Sequence, residues 1–188
     1  MCIVSIHQPN FFPHKAFFDK MKQSDVFVLM SEPQFEKGGY QNRFNIGDEW
    51  YTMSVNAGLD PIKEKRYVNE TDDFKKILQS LPKYKHILHQ FWIHIEISLS
   101  ETNICIIEDI AELLEIKTPI KYDYPTVLKG TERLVHICQN YGATKYLSGV
   151  SGKNYMDLSL FDKAGIEVIF QEPSPSKPIL EVLYERQN

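Results

Sequence analysis

Four short polar segments hold most of the chemistry that this sequence can offer. "HQPN" carries His7, Gln8 and Asn10, with His14 just beyond it; "SEPQF" carries Glu32 and Gln34. "QNR" carries Gln41, Asn42 and Arg43, and "SGVSGKNY" carries Ser148, Gly149, Ser151, Gly152, Lys153 and Tyr155. His7 and Glu32 are of types that can take a proton from a substrate. The amides offer neutral hydrogen bonds. Arg43 offers a planar fork suited to a carboxylate or phosphate, although the same triplet also fits an ordinary exposed edge strand. The glycines and serines of "SGVSGK" can turn backbone N–H groups toward an anion, with Lys153 adding charge. The spacing is not that of a phosphate-binding P-loop, and a plain strand-to-helix turn is an equally direct reading. His86, His89 and His94 find no nearby cysteine or carboxylate to complete a tetrahedral set, so no metal is expected. Cys138 falls on an apolar helix stripe and reads as core rather than nucleophile. No G-x-S-x-G elbow is present.

The elements that must position these groups follow from hydrophobic periodicity. "CIVSI" (2–6) and "DVFVLM" (25–30) read as buried strands, and "KAFFDKMKQ" (15–23) between them places Phe17, Phe18 and Met21 at helical spacing. That is a βαβ unit, whose two strands should lie parallel. The alternating runs "YQNRFNI" and "EWYTMSV", joined at Gly47-Asp48, predict a β-hairpin. Residues 57–71 read as a polar connector. A mostly helical segment spans about 72–117, its last helix (103–116) presenting Ile104, Ile107, Ala111 and Leu114, with Ser100, Thr102 and Asn103 as cap candidates. "TERLVHICQNYG", "TKYLSG", "YMDLSLFDKAG" and "IEVIFQE" read as helix, strand, helix and strand. "PSPSKP" reads as a turn before a final helix, "ILEVLYER". The expectation is a single α/β domain over 1–188, with a mainly parallel βαβ sheet, a hairpin in its N-terminal half and a helical insert. "HQPN", "SEPQF" and "SGVSGK" each follow a strand, so they should meet where parallel sheets bind ligands. The phenylalanines around "HQPN" should dock its helix on the sheet.

At 188 residues, with 43% hydrophobic and 24% charged side chains, the composition is that of an ordinary globular protein. A net charge of −4 provides no global basic field for nucleic acid or an anionic membrane. No apolar run approaches the roughly 20 residues that cross a bilayer, the N-terminus lacks a signal-peptide pattern, and the three cysteines are scattered. A cytoplasmic location is expected.

"IHQPNFFPHKAFFDKMKQSDVFVLMSEPQF", "QNRFNI", "GTERLVHICQNYGATKYLSG" and "DLSLFDKAGIEVIFQE" together resemble the WbqC-like protein family. That family opens on a Q-P-[NT]-Y-x-P-W-x-G-Y-F-D-x-I pattern and carries a later G-A-T-x-Y-L-S-G stretch. The matching positions include Gln8, Pro9, Pro13, Phe18, Asp25, Gln34, Phe35, Gln41, Asn42, Arg43, Tyr146, Ser148, Gly149, Gly152 and Tyr155. His14 stands where the family tends to have Trp, Ala16 where it has Gly, and Ser31-Glu32 where it has two acids; the segment after "FQE" is shortened. The front half also looks loosely like nucleotidyltransferase-type enzymes, but Phe17 occupies the place of their second histidine. The resemblance implies a role beside surface-polysaccharide (O-antigen) genes and transfer of an amino acid such as glycine from an activated donor to a small or nucleotide-linked acceptor, without a cofactor. In that reading Arg43 grips an anion, His7 or Glu32 is the base, Gln8, Asn10, His14, Gln34, Gln41 and Asn42 hold substrate, and Ser148 to Gly152 receive a phosphate or oxyanion. Two alternatives stand beside it. One is transfer onto a pyrophosphate-activated modified nucleobase in DNA; the other is a non-catalytic module binding a nucleotide-sugar or amino acid.

Overall fold

The computed structural model describes residues 1–187 except 96, 97, 174 and 176. Part of the "PSPSKP" turn therefore lies outside the described residues. The chain opens with β1 (Ile3–His7), α1 (Lys15–Lys22) and β2 (Val26–Leu29), then a hairpin of β3 (Arg43–Ile46) and β4 (Glu49–Thr52). The insert follows as α2 (Glu70–Ser80), α3 (Lys85–Gln90) and α4 (Leu99–Leu113). The remainder alternates: β5 (Ile120–Tyr122), α5 (Gly130–Asn140), β6 (Lys145–Ser148), α6 (Leu158–Lys163), β7 (Glu167–Phe170) and α7 (Ile179–Gln187).

Among the described residues the main sheet has five strands in the order β5-β2-β1-β6-β7, every pairing parallel. The expected α/β class holds. Strand alternation divides two apolar layers. Phe27 and Leu29 face a large cluster with α1, the hairpin, the insert and α7, while Val4, Ile6 and Val28 face a smaller one with α5 and α6. Covering both faces is what makes these short strands nearly continuous apolar runs. No helix among the described residues is long and apolar enough to cross a membrane.

Three expectations need correction. The connector at 57–71 is packed: Ile62 and Lys65 are fully buried, and Lys65 Nζ donates to the carbonyls of Asn56, Ala57 and Gly58 at 2.9, 3.2 and 2.8 Å. A lysine folded inward can gather loop carbonyls as a hydrogen-bonding hub, which a polarity pattern cannot show. Next, α4 begins earlier than its apolar stripe suggests, because Ser98 caps it by accepting from Glu101 N. Ser100, Thr102 and Asn103 are buried inside the helix, and the inward face is Leu99, Ile106, Ile107, Ile110 and Ala111. Finally, β5 carries no sequence signal; three residues with two exposed become a strand only because β2 offers an open edge.

Candidate functional site

β1 and β2 are in register to His7↔Leu29, and β6 reaches Ser148 on the other side of β1. Chain order thus runs outward in opposite directions from the β1–β6 pair. Such a switch point leaves a crevice beyond the carboxyl ends of the strands. A cleft of about 810 Å³ lies here, lined by His7, Gln8 and Asn10 at and after the end of β1, by His14 before α1 and Ala16, Phe17 and Lys20 on it, and by Ser148, Gly149, Ser151 and Tyr155 at and after the end of β6. Glu36, Gly38 to Gln41, Gly130 and Arg133 of α5, and Gln171 also line it.

The loop after β1 is held from outside the sheet. Phe12 has φ 45, a conformation that costs a side-chain-bearing residue energy and persists only where packing imposes it. Its ring meets Phe44 of the hairpin at 5.3 Å and Phe91 of the insert at 5.4 Å. Phe11 and Phe12 therefore moor the loop to the hairpin and insert, while Phe17 and Phe18 dock α1. Only the second half of the expected phenylalanine role was foreseen. Asn103, fully buried in α4, ties the same loop to the hairpin by donating to Pro9 O at 2.9 Å and Gln41 O at 2.7 Å. Gln41 Nε2 then donates to Gln8 Oε1 at 2.6 Å, and Gln41 Oε1 is buried without a partner.

His7 Nδ1 lies 2.9 Å from Gln8 O. A carbonyl oxygen only accepts, so Nδ1 carries the proton and Nε2 is bare. The ring packs edge-on against Phe17, and desolvation together with the nearby Lys20 charge pushes its pKa down to about 3. His7 is a neutral hydrogen-bonding group at physiological pH and a weak proton acceptor. Lys20 is 3% exposed and donates to Ile6 O at 3.2 Å. Burial brings its pKa down to about 7. Arg133 is also buried; it donates to Asp123 Oδ2 at 2.9 Å and Tyr124 O at 3.0 Å, and its Nε has no partner.

The structure thus brings His7, Gln8, Asn10, His14, Gln41, Ser148, Gly149, Ser151 and Tyr155 to one cleft. The remaining sequence candidates lie outside its lining. Glu32 pairs with Lys63 at 2.8 Å, Gln34 bridges to Pro61, and Asn42 is buried donating to Met53 O. Lys153 sits over the Phe170 ring, and Gly152 supports Ser148 from behind. Arg43 donates to the carbonyls of Gly38 and Gly39 and lies 4.1 Å over the Trp50 ring. It braces the glycine segment that lines the cleft. Sequence reading missed Lys20 and Arg133, although each announced itself as a charge on the buried face of an amphipathic helix, beside Met21 and Leu134 respectively. The histidines of the insert have other partners: His94 bonds Asp109, His86 bonds Gln187, and His89 packs beside the Trp92 ring.

Two substitutions test this construction. A Cβ at Gly152 would come 2.1 Å from Ser148 Oγ and 2.9 Å from Met156 Cε. Gly152→Ala should therefore displace Ser148 and cost about 1–3 kcal/mol, as overpacking does; urea unfolding within roughly 0.5 kcal/mol of wild type would contradict it. Arg43→Lys keeps the charge but loses the fork. Its bonds to the two glycine carbonyls should weaken, lowering stability by about 1.5–3 kcal/mol and, through the glycine segment they hold, reducing ligand affinity. Affinity for any bound metabolite equal to wild type would show that the brace does not shape the cleft.

An open, doubly wound α/β protein with a ligand cleft at its switch point is the class that fold and site define. The chain belongs to the WbqC-like protein family, whose model matches residues 8–180. It is 30% identical over 185 residues to the uncharacterized protein Rv1507c of Mycobacterium tuberculosis, covering 88% of this chain and 80% of that protein. No solved structure matches.

Proposed function

We propose that this protein is an enzyme that transfers an amino acid, glycine in the simplest case, between an activated donor and a small acceptor held in the cleft. The observation that carries the reading is the cleft itself: about 810 Å³ at the switch point, lined by amide side chains and a neutral histidine, with Lys20, Glu36 and the Asp123-paired Arg133 as its charged groups. That volume lies within the range of small-molecule sites. Transfer requires the attacking amine to be neutral, because an ammonium has no free electron pair. His7, lowered to about 3, is too weak a base to take that proton. Glu32, paired to Lys63 outside the lining, is not placed to do so. His7 Nε2 can orient the amine, and Gly149 and Ser151 can meet a leaving group.

Tyr40 and Tyr155 line the same cleft and are 43% and 67% exposed. Their open rings favour an acceptor that carries a sugar or nucleobase ring. Metabolites retained by the purified protein, identified by untargeted mass spectrometry, would be incubated with it and labelled glycine. Label in a new product supports transfer. A metabolite that raises the melting temperature and yields no product would make the protein a binding module.

A further inference from the structure

The unusual feature of the cleft floor is a charge imbalance. Lys20 is 3% exposed, and among the described residues no carboxylate pairs with it. Its one hydrogen-bond acceptor is Ile6 O, which leaves two N–H groups of an ammonium unmatched. The charges facing it can be counted. His7 of β1 is neutral, and the Tyr146 phenol of β6 is held protonated by burial. Arg133 of α5 is neutralised by Asp123, whose side chain is fully buried. Glu36 and His14 also line the cleft, Glu36 from the exposed Gly38 side, and His14 bonded to Asn45. The floor carries one uncompensated positive charge when Lys20 is protonated.

A buried ion without a counter-ion is costly. The cost is recovered when a ligand brings the opposite charge. We propose that the floor of this cleft is a carboxylate site, with the Lys20 ammonium receiving the negative charge. One carboxylate balances one lysine, whereas a phosphate dianion would overshoot and ask for more donors than the floor supplies. The inference deepens the amino-acid-transfer reading by naming where the substrate's carboxylate docks, and it can fail separately from that reading.

The test follows Lys20 directly in the intact chain. Protein labelled with 13Cε-lysine gives a Lys20 resonance, assigned by its loss in Lys20→Met. Its titration midpoint is measured alone and with propionate, glycine, glycinamide or inorganic phosphate. Propionate and glycine should raise the midpoint by about one unit or more, as an opposite charge within hydrogen-bond range does, and glycinamide should not. In Lys20→Met, the saturable effect of propionate on the His7 ring resonances should vanish. Propionate acting while glycine does not would uphold the carboxylate site and remove glycine as its occupant. Phosphate acting alone, glycinamide matching glycine, or no probe moving Lys20 would overturn the proposal.

Discussion

Lys20→Met should melt above wild type at pH 7 and yet lose the function of the cleft. Methionine matches the lysine stem in length and suits the surroundings of Phe17 and Phe27, so the substitution removes a desolvated charge without opening a cavity. Replacing buried ionic groups by apolar ones of similar volume is often neutral or stabilising by about 1–4 kcal/mol. In a chain of this size each kcal/mol moves the melting temperature by about 2–4 °C. The pH dependence has a definite sign. Burial lowers Lys20 from 10.5 to about 7, so the unfolded chain holds more protons than the folded one between those values. Wild-type stability from this group is fully present above 10.5 and is lost as pH falls toward 7. The advantage of Lys20→Met should therefore be greatest at and below pH 7 and shrink as pH rises toward 10.5. Thermal melts of both proteins across that range measure it. A variant that melts below wild type at every pH would mean that the bond to Ile6 O outweighs the desolvation of the charge.

The opposite response is expected at Asp123. Its carboxylate accepts from Ser31 N at 2.9 Å, Glu32 N at 3.3 Å and Arg133 Nη2 at 2.9 Å, with the side chain fully buried. It joins the loop after β2 to α5. Asp123→Ala leaves the Arg133 charge buried and uncompensated, a loss of about 3–5 kcal/mol, or roughly 6–20 °C in melting temperature. The pair Asp123→Leu with Arg133→Met removes both charges and should recover most of the loss, because the two residues share one interaction. Urea unfolding of the single and double variants decides the matter: equal losses in both would show that the N–H bonds of Ser31 and Glu32 carry the stability.

Much of this architecture is written in local pattern. The apolar runs at 2–6 and 25–30 flanking an amphipathic helix specify a parallel βαβ pair, because short all-apolar strands need cover on both faces. Gly47-Asp48 between alternating runs specifies the hairpin. The position of "HQPN" and "SGVSGK" directly after strands was enough to expect His7 and Ser148 at one end of one sheet, where the structure places them. What the sequence could not decide is which polar groups turn inward. Arg43 and Lys20 look alike as letters, but Arg43 braces glycine carbonyls beside Trp50 whereas Lys20 is enclosed at the cleft floor without a counter-charge. Asp123 and Asn103 meet their partners across 92 and 94 residues of chain, to Ser31 and Pro9. Hydrophobic periodicity reports the environment of a residue's own helix or strand. Burial of a charge and the pairing of an amide depend instead on which distant backbone groups the tertiary fold brings within hydrogen-bond distance, and only packing sets that.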